Sequence, residues 1–193
     1  MSINSNSNPR FLEIGNIDDV QVWRMPIYND NRGRLFKAYE TTNSSTSSGS
    51  FVTHEHFFTE SRKNVFRGMH FQGSPHSVSK IISIVEGAAI DFLFDMRRRS
   101  LTFRKLQIIN LDEKEPASIY IPVGVAHGYL SVAEKTIISY KMDGPFCSKC
   151  DSGFNGELVS YLLPIPLTET IRSHRDTALL PFQEFQYSSI CAG

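Results

Sequence analysis

The stretch KIISIVEGAAIDFLFD, residues 80–95, decides the fold class. Lys80, Ile82 and Ile84 fall on one side of an extended chain, and Ile81, Ser83 and Val85 on the other. After the turn pair Glu86-Gly87, Ile90, Phe92 and Phe94 oppose Asp91, Leu93 and Asp95. Two runs of period-two alternation across a Gly turn spell strand, turn, strand. Outward from this pair, runs of the same kind stand at 103–110, 118–121, 126–132 and 136–141. Turn formers at Asn110-Leu111-Asp112 and Pro122-Val123-Gly124 separate them. A helical pattern appears only over 167–180. Many short strands at close spacing predict an all-β protein, an antiparallel jelly roll with short C-terminal helices.

Composition agrees with one soluble domain over residues 1–193. The chain is 40% hydrophobic and 21% charged, enough apolar side chain for a real core. Twenty basic residues balance twenty acidic ones, so bulk charge gives no reason to expect a nucleic-acid or membrane partner. No run reaches membrane-spanning length and the opening MSINSNSNPRF has no apolar signal core, which predicts a cytoplasmic protein. The Asn/Ser-rich residues 1–15 are expected to fray or to drape over a neighbour. Thr41–Ser50 reads as a long loop whose sequon, Asn43-Ser44-Ser45, goes unused.

Three groups of residues could carry chemistry. Arg67-Gly68-Met69-His70-Phe71-Gln72 is followed ten positions later by Lys80, an odd set for a half-buried sheet. Strict alternation would turn Arg67 and His70 to opposite sides, and a bulge at Gly68 would bring them together. Pro122 to Gly128 forms a Pro-x-Gly turn leading to His127, and Tyr140 on a later strand has the parity to point inward. Ser173-His174-Arg175-Asp176, taken alone, is a solvated charged turn. So is Arg97-Arg98-Arg99 after Asp95. A metal reading also exists, because His54, His56 and Glu60 share parity and could converge with His127. Cys147-x-x-Cys150 lacks a second pair and Cys191 stands alone, so neither zinc nor redox use is expected of them.

Taken together, these clusters resemble the nucleotide-sugar 4-keto epimerases typified by dTDP-4-dehydrorhamnose 3,5-epimerase. The carriers run from Asp30-Asn31-Arg32-Gly33 and Phe36 through Arg67–Gln72, Lys80, Glu86-Gly87 and Asp91–Arg97. They continue through Ser100–Phe103, Ile121-Pro122, His127-Gly128-Tyr129, Tyr140-Lys141, Asp151-Ser152-Gly153 and Ser173-x-Arg175-Asp176. The resemblance implies a cupin-type jelly roll that needs no metal or other cofactor, and a homodimer exchanging N-terminal strands. It implies a nucleotide diphosphate sugar as substrate. It also implies His70 as general base, Asp176 as the carboxylate orienting it, Tyr140 as the acid on the opposite sugar face, and Lys80 near the C4 oxygen. Arg32 and Arg67 match phosphate-binding positions, and Gln72 and His127 match substrate-site positions.

That chemistry has a physical logic. A proton beside the C4 ketone leaves to a base, and the enolate charge needs a cation or donor near the oxygen. Inversion then requires a second donor on the other face. The sequence departs from the family where His54–Ser61 replaces Gln-x-Asn-x-Ser. It departs again at Phe154-Asn155-Gly156 and Leu162-Leu163-Pro164, positions on the nucleotide side of the family's site. The base therefore need not be thymine. A metal-dependent cupin using His54, His56, Glu60 and His127, and a non-catalytic sugar-binding cupin, are the alternatives.

Overall fold

Alternation in the strands is resolved by two sheets with three apolar layers between and around them. The computed structural model describes residues 15–39 and 51–185. Residues 1–14 of the Asn/Ser-rich start and the 41–50 tract lie outside the described residues. One sheet has the order β1-β9-β6-β11-β4, from β1 (Gln21–Arg24), β4 (Glu55–Arg62), β6 (Lys80–Glu86), β9 (Ala117–Ile121) and β11 (Lys135–Met142). The other has the order β12-β5-β10-β7-β8, from β5 (Phe66–Gln72), β7 (Ala88–Asp95), β8 (Leu106–Asp112), β10 (Val125–Ser131) and β12 (Asp151–Gly153). The pairings within both sheets are antiparallel. A separate hairpin of β2 (Tyr28–Asp30) and β3 (Gly33–Leu35) carries the Asp30-Asn31-Arg32-Gly33 turn.

The two faces of residues 80–95 go where their side chains require. Ile82, Ile84 and Leu93 enter the layer between the sheets with Ile119, Ile121, Tyr129 and Ile138. Ile90, Phe92 and Phe94 line the outer face of the second sheet, where Phe154, Val159 and Phe182 of the C-terminal segment cover them. The short C-terminal helices are thus the lid of a second core. Ile81 joins Phe51 and Tyr120 in a third cluster.

Three local expectations need correction. Asn110-Leu111-Asp112 is not a turn: Asn110 pairs with Ile90 inside β8, and Leu111 is buried in the inter-sheet core. The turn comes two residues later, where Asp112 Oδ1 accepts from the Lys114 amide. The strand there begins at Leu106 rather than Phe103, because Ser100 and Thr102 are held in a turn by their hydroxyls on Asp95. The helical stretch over 167–180 splits into a 3-10 turn, Leu167–Glu169, and a single α-helical turn, α1 (His174–Ala178). Ile171 interrupts it by pairing its backbone with Asn64 and Phe66 at the β4–β5 turn.

Arg97 is likewise no solvated tip. Its guanidinium donates to both Asp95 oxygens and to Asp19, and this ties the N-terminal segment to the β7 end. Arg98 and Arg99 are exposed, as expected.

Candidate active site

The irregularity expected at Gly68 is present. Along β5 and β10, His70 faces His127 while Arg67 faces Tyr129, so three steps on one strand match two on the other. Gly68 takes a φ of +134° inside this bulge, and a Cβ there would sit 2.4 Å from the Gly128 Cα. Arg67 and His70 consequently line the same cleft, of about 330 Å³, together with Lys80, His127 and Tyr140.

Asp176 reaches this cleft from α1. Ser173 caps the helical turn by accepting the Asp176 amide at 3.1 Å, which fixes the carboxylate in the first turn. Asp176 is 3% exposed, and its Oδ1 lies 2.7 Å from His70 Nε2. Burial alone would raise the Asp176 pKa, but the bonds from His70, the Gly68 amide and Ser173 outweigh it and hold the carboxyl below its usual value. An ionised Asp176 accepts from Nε2–H, which leaves Nδ1 as the nitrogen of His70 able to take a proton. The Ser173–Asp176 turn is therefore part of the cleft wall rather than a solvated surface.

The opposite wall is built on the first sheet. The Tyr140 ring stacks flat on Phe57 at 5.1 Å and stands 5.9 Å from the His127 ring. Burial raises the Tyr140 phenol well above its usual pKa, as do the neighbouring Tyr129 and Asp91, so it holds its proton. The Arg67 charge and a Thr59 hydrogen bond work the other way and ease the phenolate. Arg67 itself is aimed by β4, donating to the Ser61 hydroxyl at 3.0 Å and the Glu60 carbonyl at 3.1 Å.

Between the two walls lies Lys80, 8% exposed, whose Nζ donates to the His70 carbonyl at 3.4 Å. Burial lowers its pKa to about 8, against the pull of Asp151 and Asp91. His127 Nε2 meets Asp91 Oδ2 at 2.7 Å. Burial pushes His127 down and Asp91 up, and their mutual attraction opposes both shifts. Asp91 stands in one of the motifs that carry the family resemblance, but sequence reasoning assigns it no site role. Its signal was a carboxylate on the inward parity of β7, between apolar neighbours. Thr59, Ser61 and Tyr129 are likewise given no site role by it: the Tyr129 hydroxyl bonds both Thr59 and Ser61, at 2.9 and 2.8 Å.

Other expected positions are engaged differently or fall elsewhere. Gln72 lines the cleft, but its amide is engaged by the loops, accepting from the Cys147 amide and donating to the Pro145 and His76 carbonyls. Arg32 does not line this cleft; it lies on the β2–β3 hairpin, 86% exposed and paired with Asp30 at 2.5 Å. The metal set is corrected outright. Glu55, Phe57 and Thr59 are the β4 residues that line the cleft, so His56 and Glu60, of opposite parity, face away from His127. His56 instead bonds the Ser139 hydroxyl at 2.9 Å, and His54 precedes the strand. Phe154 is also off the expected nucleotide side: it is fully buried in the outer core, against Phe94 and Phe182.

An imidazole held by a carboxylate faces a cleft that also presents a protonated phenol and a desolvated ammonium. Fold and cleft together define a jelly-roll enzyme of the acid–base kind. The model of one family, dTDP-4-dehydrorhamnose 3,5-epimerase, matches residues 15–184. The chain belongs to that family and is an isomerase of the epimerase type.

It is 31% identical over 128 residues to the dTDP-4-dehydrorhamnose 3,5-epimerase of Salmonella typhimurium, covering 65% of this chain and 69% of that one. The Escherichia coli protein of the same name is 28% identical over 173 residues, 87% of this chain and 92% of the relative. A crystal structure of the Bacillus anthracis enzyme, with TDP and PPi bound, superposes with a TM-score of 0.78 at 27% identity. That match covers 87% of this chain and 97% of the other.

Proposed function

We propose that this chain inverts C3, C5 or both in a nucleoside-diphosphate-linked 4-keto-deoxysugar. The observation that carries this reading is the His70–Asp176 pair opening into the same cleft as Tyr140 and Lys80. His70 Nδ1 takes the proton from a carbon beside the C4 ketone, and Asp176 stabilises the imidazolium that forms. The electron pair left behind moves onto the C4 oxygen, where the Lys80 ammonium balances the enolate charge. Tyr140 then delivers its proton to the opposite face of the same carbon, and the imidazolium and phenolate return to their starting states by exchange with water.

The remaining polar groups serve binding. The Arg67 guanidinium suits a diphosphate oxygen, and His127, fixed by Asp91, suits a sugar hydroxyl. Gln72 has one amide-oxygen lone pair left for substrate. A cleft of about 330 Å³ holds a hexose but not a whole nucleotide sugar, so the nucleotide extends out of it. A homodimer supplies the missing wall: the exposed β2–β3 hairpin, with Tyr28, Leu35 and Arg32, reaches a second copy and offers its arginine to the phosphates. The Bacillus anthracis structure with TDP and PPi bound supports a nucleotide diphosphate as the bound moiety. No helix among the described residues is long and apolar enough to cross a membrane, and we place the enzyme in the cytoplasm with its nucleotide-sugar substrate.

The test is a panel of thymidine-, uridine-, guanosine- and cytidine-diphosphate 4-keto-6-deoxyhexoses, each incubated with the enzyme and followed by proton NMR. Changed ring coupling constants at C3 or C5 for at least one nucleotide support the reading. No change with any of them contradicts it.

A further inference from the structure

The loops beside the cleft carry a group that the epimerisation does not use. Cys147 and Cys150 bracket a tight turn in which the amides of Cys150 and Asp151 both donate to the Cys147 carbonyl. Their sulfurs lie 2.9 Å apart, and His76, from the β5–β6 loop, places Nδ1 3.5 Å from Cys150 Sγ. The three ligand atoms are all within 4.8 Å of one another.

We propose that His76, Cys147 and Cys150 form a binding site for one zinc ion, with water as the fourth ligand. Two thiolates and an imidazole are a borderline-soft donor set that suits a tetrahedral d10 cation. With Zn–S near 2.3 Å and Zn–N near 2.0–2.1 Å, a tetrahedral edge is roughly 3.5–3.8 Å. The separation of Cys150 Sγ from His76 Nδ1 already has that length, and Cys147 Sγ lies within 4.8 Å of the same nitrogen. The two sulfurs need to part by a little under about 1 Å, which a small side-chain rotation supplies. Cys150 is buried, Cys147 half-buried and His76 exposed, so the ion has an entry path and its open position faces solvent.

The site has a structural role. It fastens the β5–β6 loop to the β11–β12 loop, where Gln72 already bonds the Cys147 amide and the Gly73 amide bonds the Cys150 carbonyl. Pro145 and Phe146 of the second loop are part of the cleft wall. A zinc role was not expected of a lone Cys-x-x-Cys because the third ligand lies 74 positions before Cys150 and only the fold brings it there.

The test uses the full-length enzyme, purified under reducing conditions without chelator, then stripped and titrated with Zn²⁺ or Co²⁺. We expect one metal per chain, a thiolate-to-cobalt charge-transfer band with tetrahedral visible bands, and a zinc-dependent rise in Tm. His76→Gln, at an exposed position, weakens binding more than about tenfold while leaving the far-ultraviolet circular dichroism unchanged. The Cys147→Ser/Cys150→Ser double variant loses the cobalt bands. A reduced wild-type enzyme with no cobalt bands and no zinc effect on Tm overturns the proposal. So does uptake that is the same in wild type and both variants, or a Cys147–Cys150 disulfide that resists reduction.

Discussion

Replacing Lys80 by Met separates what the ammonium does for catalysis from what it costs the fold. Its pKa falls from 10.5 to about 8 because burial removes water from the charge, and Asp151 and Asp91 only partly compensate. At 1.36 kcal/mol per unit, the folded state carries about 3 kcal/mol of penalty from this group at pH 7. The sign follows from proton counting. Below about pH 8 the lysine is protonated in both states, so the full penalty is present. Between about 8 and 10.5 the folded state binds fewer protons than the unfolded one, so wild-type stability rises with pH. At pH 9.5 about 1.4 kcal/mol of penalty is left.

Met fills the stem's volume without the charge. Urea unfolding should therefore find Lys80→Met more stable than wild type at pH 7, with an unchanged m-value and a gap that narrows by about 2 kcal/mol by pH 9.5. Turnover should drop by a factor on the order of 10²–10³, the loss seen when one donor to a developing oxyanion is removed. A gap that does not change with pH, or one that widens, would refute the assigned cause. A variant with full turnover would refute the role at the C4 oxygen.

Two further substitutions test the geometry that assembles the cleft. Asp176→Asn keeps the shape but stabilises the wrong tautomer of His70; steady-state kinetics should show kcat lowered on the order of 10³-fold, with KM nearly unchanged. Gly68→Ala forces a Cβ against the Gly128 Cα at 2.4 Å and onto a φ of +134°. It should cost more than about 2 kcal/mol in denaturant unfolding and lower kcat as well, because the bulge that turns Arg67 toward the cleft is lost.

How much was legible in the sequence depended on whether the signal was local. The strands at 80–86, 88–95, 117–121, 125–131 and 135–142 announced themselves, because apolar alternation is set by neighbours two residues apart. The Gly68 bulge was also legible, since Arg67 and His70 cannot share a face without it. Asn110–Asp112 misled because the polar Asn110 and Asp112 flank a buried leucine in β8. The His54, His56 and Glu60 set has the right mutual parity but the wrong face, and parity alone does not say which face of a strand meets the other sheet. Asp176 read as solvent-exposed because its partner, His70, is 106 positions away. The family resemblance pairs Asp176 with His70, as the structure does, whereas the Asp91–His127 pair is visible only in the fold.

In the proposed mechanism His70 removes a proton beside the ketone and Tyr140 returns one from the other side. Deuterium incorporation in D2O, followed by NMR on a nucleotide 4-keto-deoxysugar that the wild-type enzyme turns over, reads both halves at once. We expect no incorporation at C3 or C5 with His70→Ala, and incorporation with impaired inversion for Tyr140→Phe. Wild-type exchange rates in His70→Ala, or unimpaired inversion in Tyr140→Phe, would contradict it.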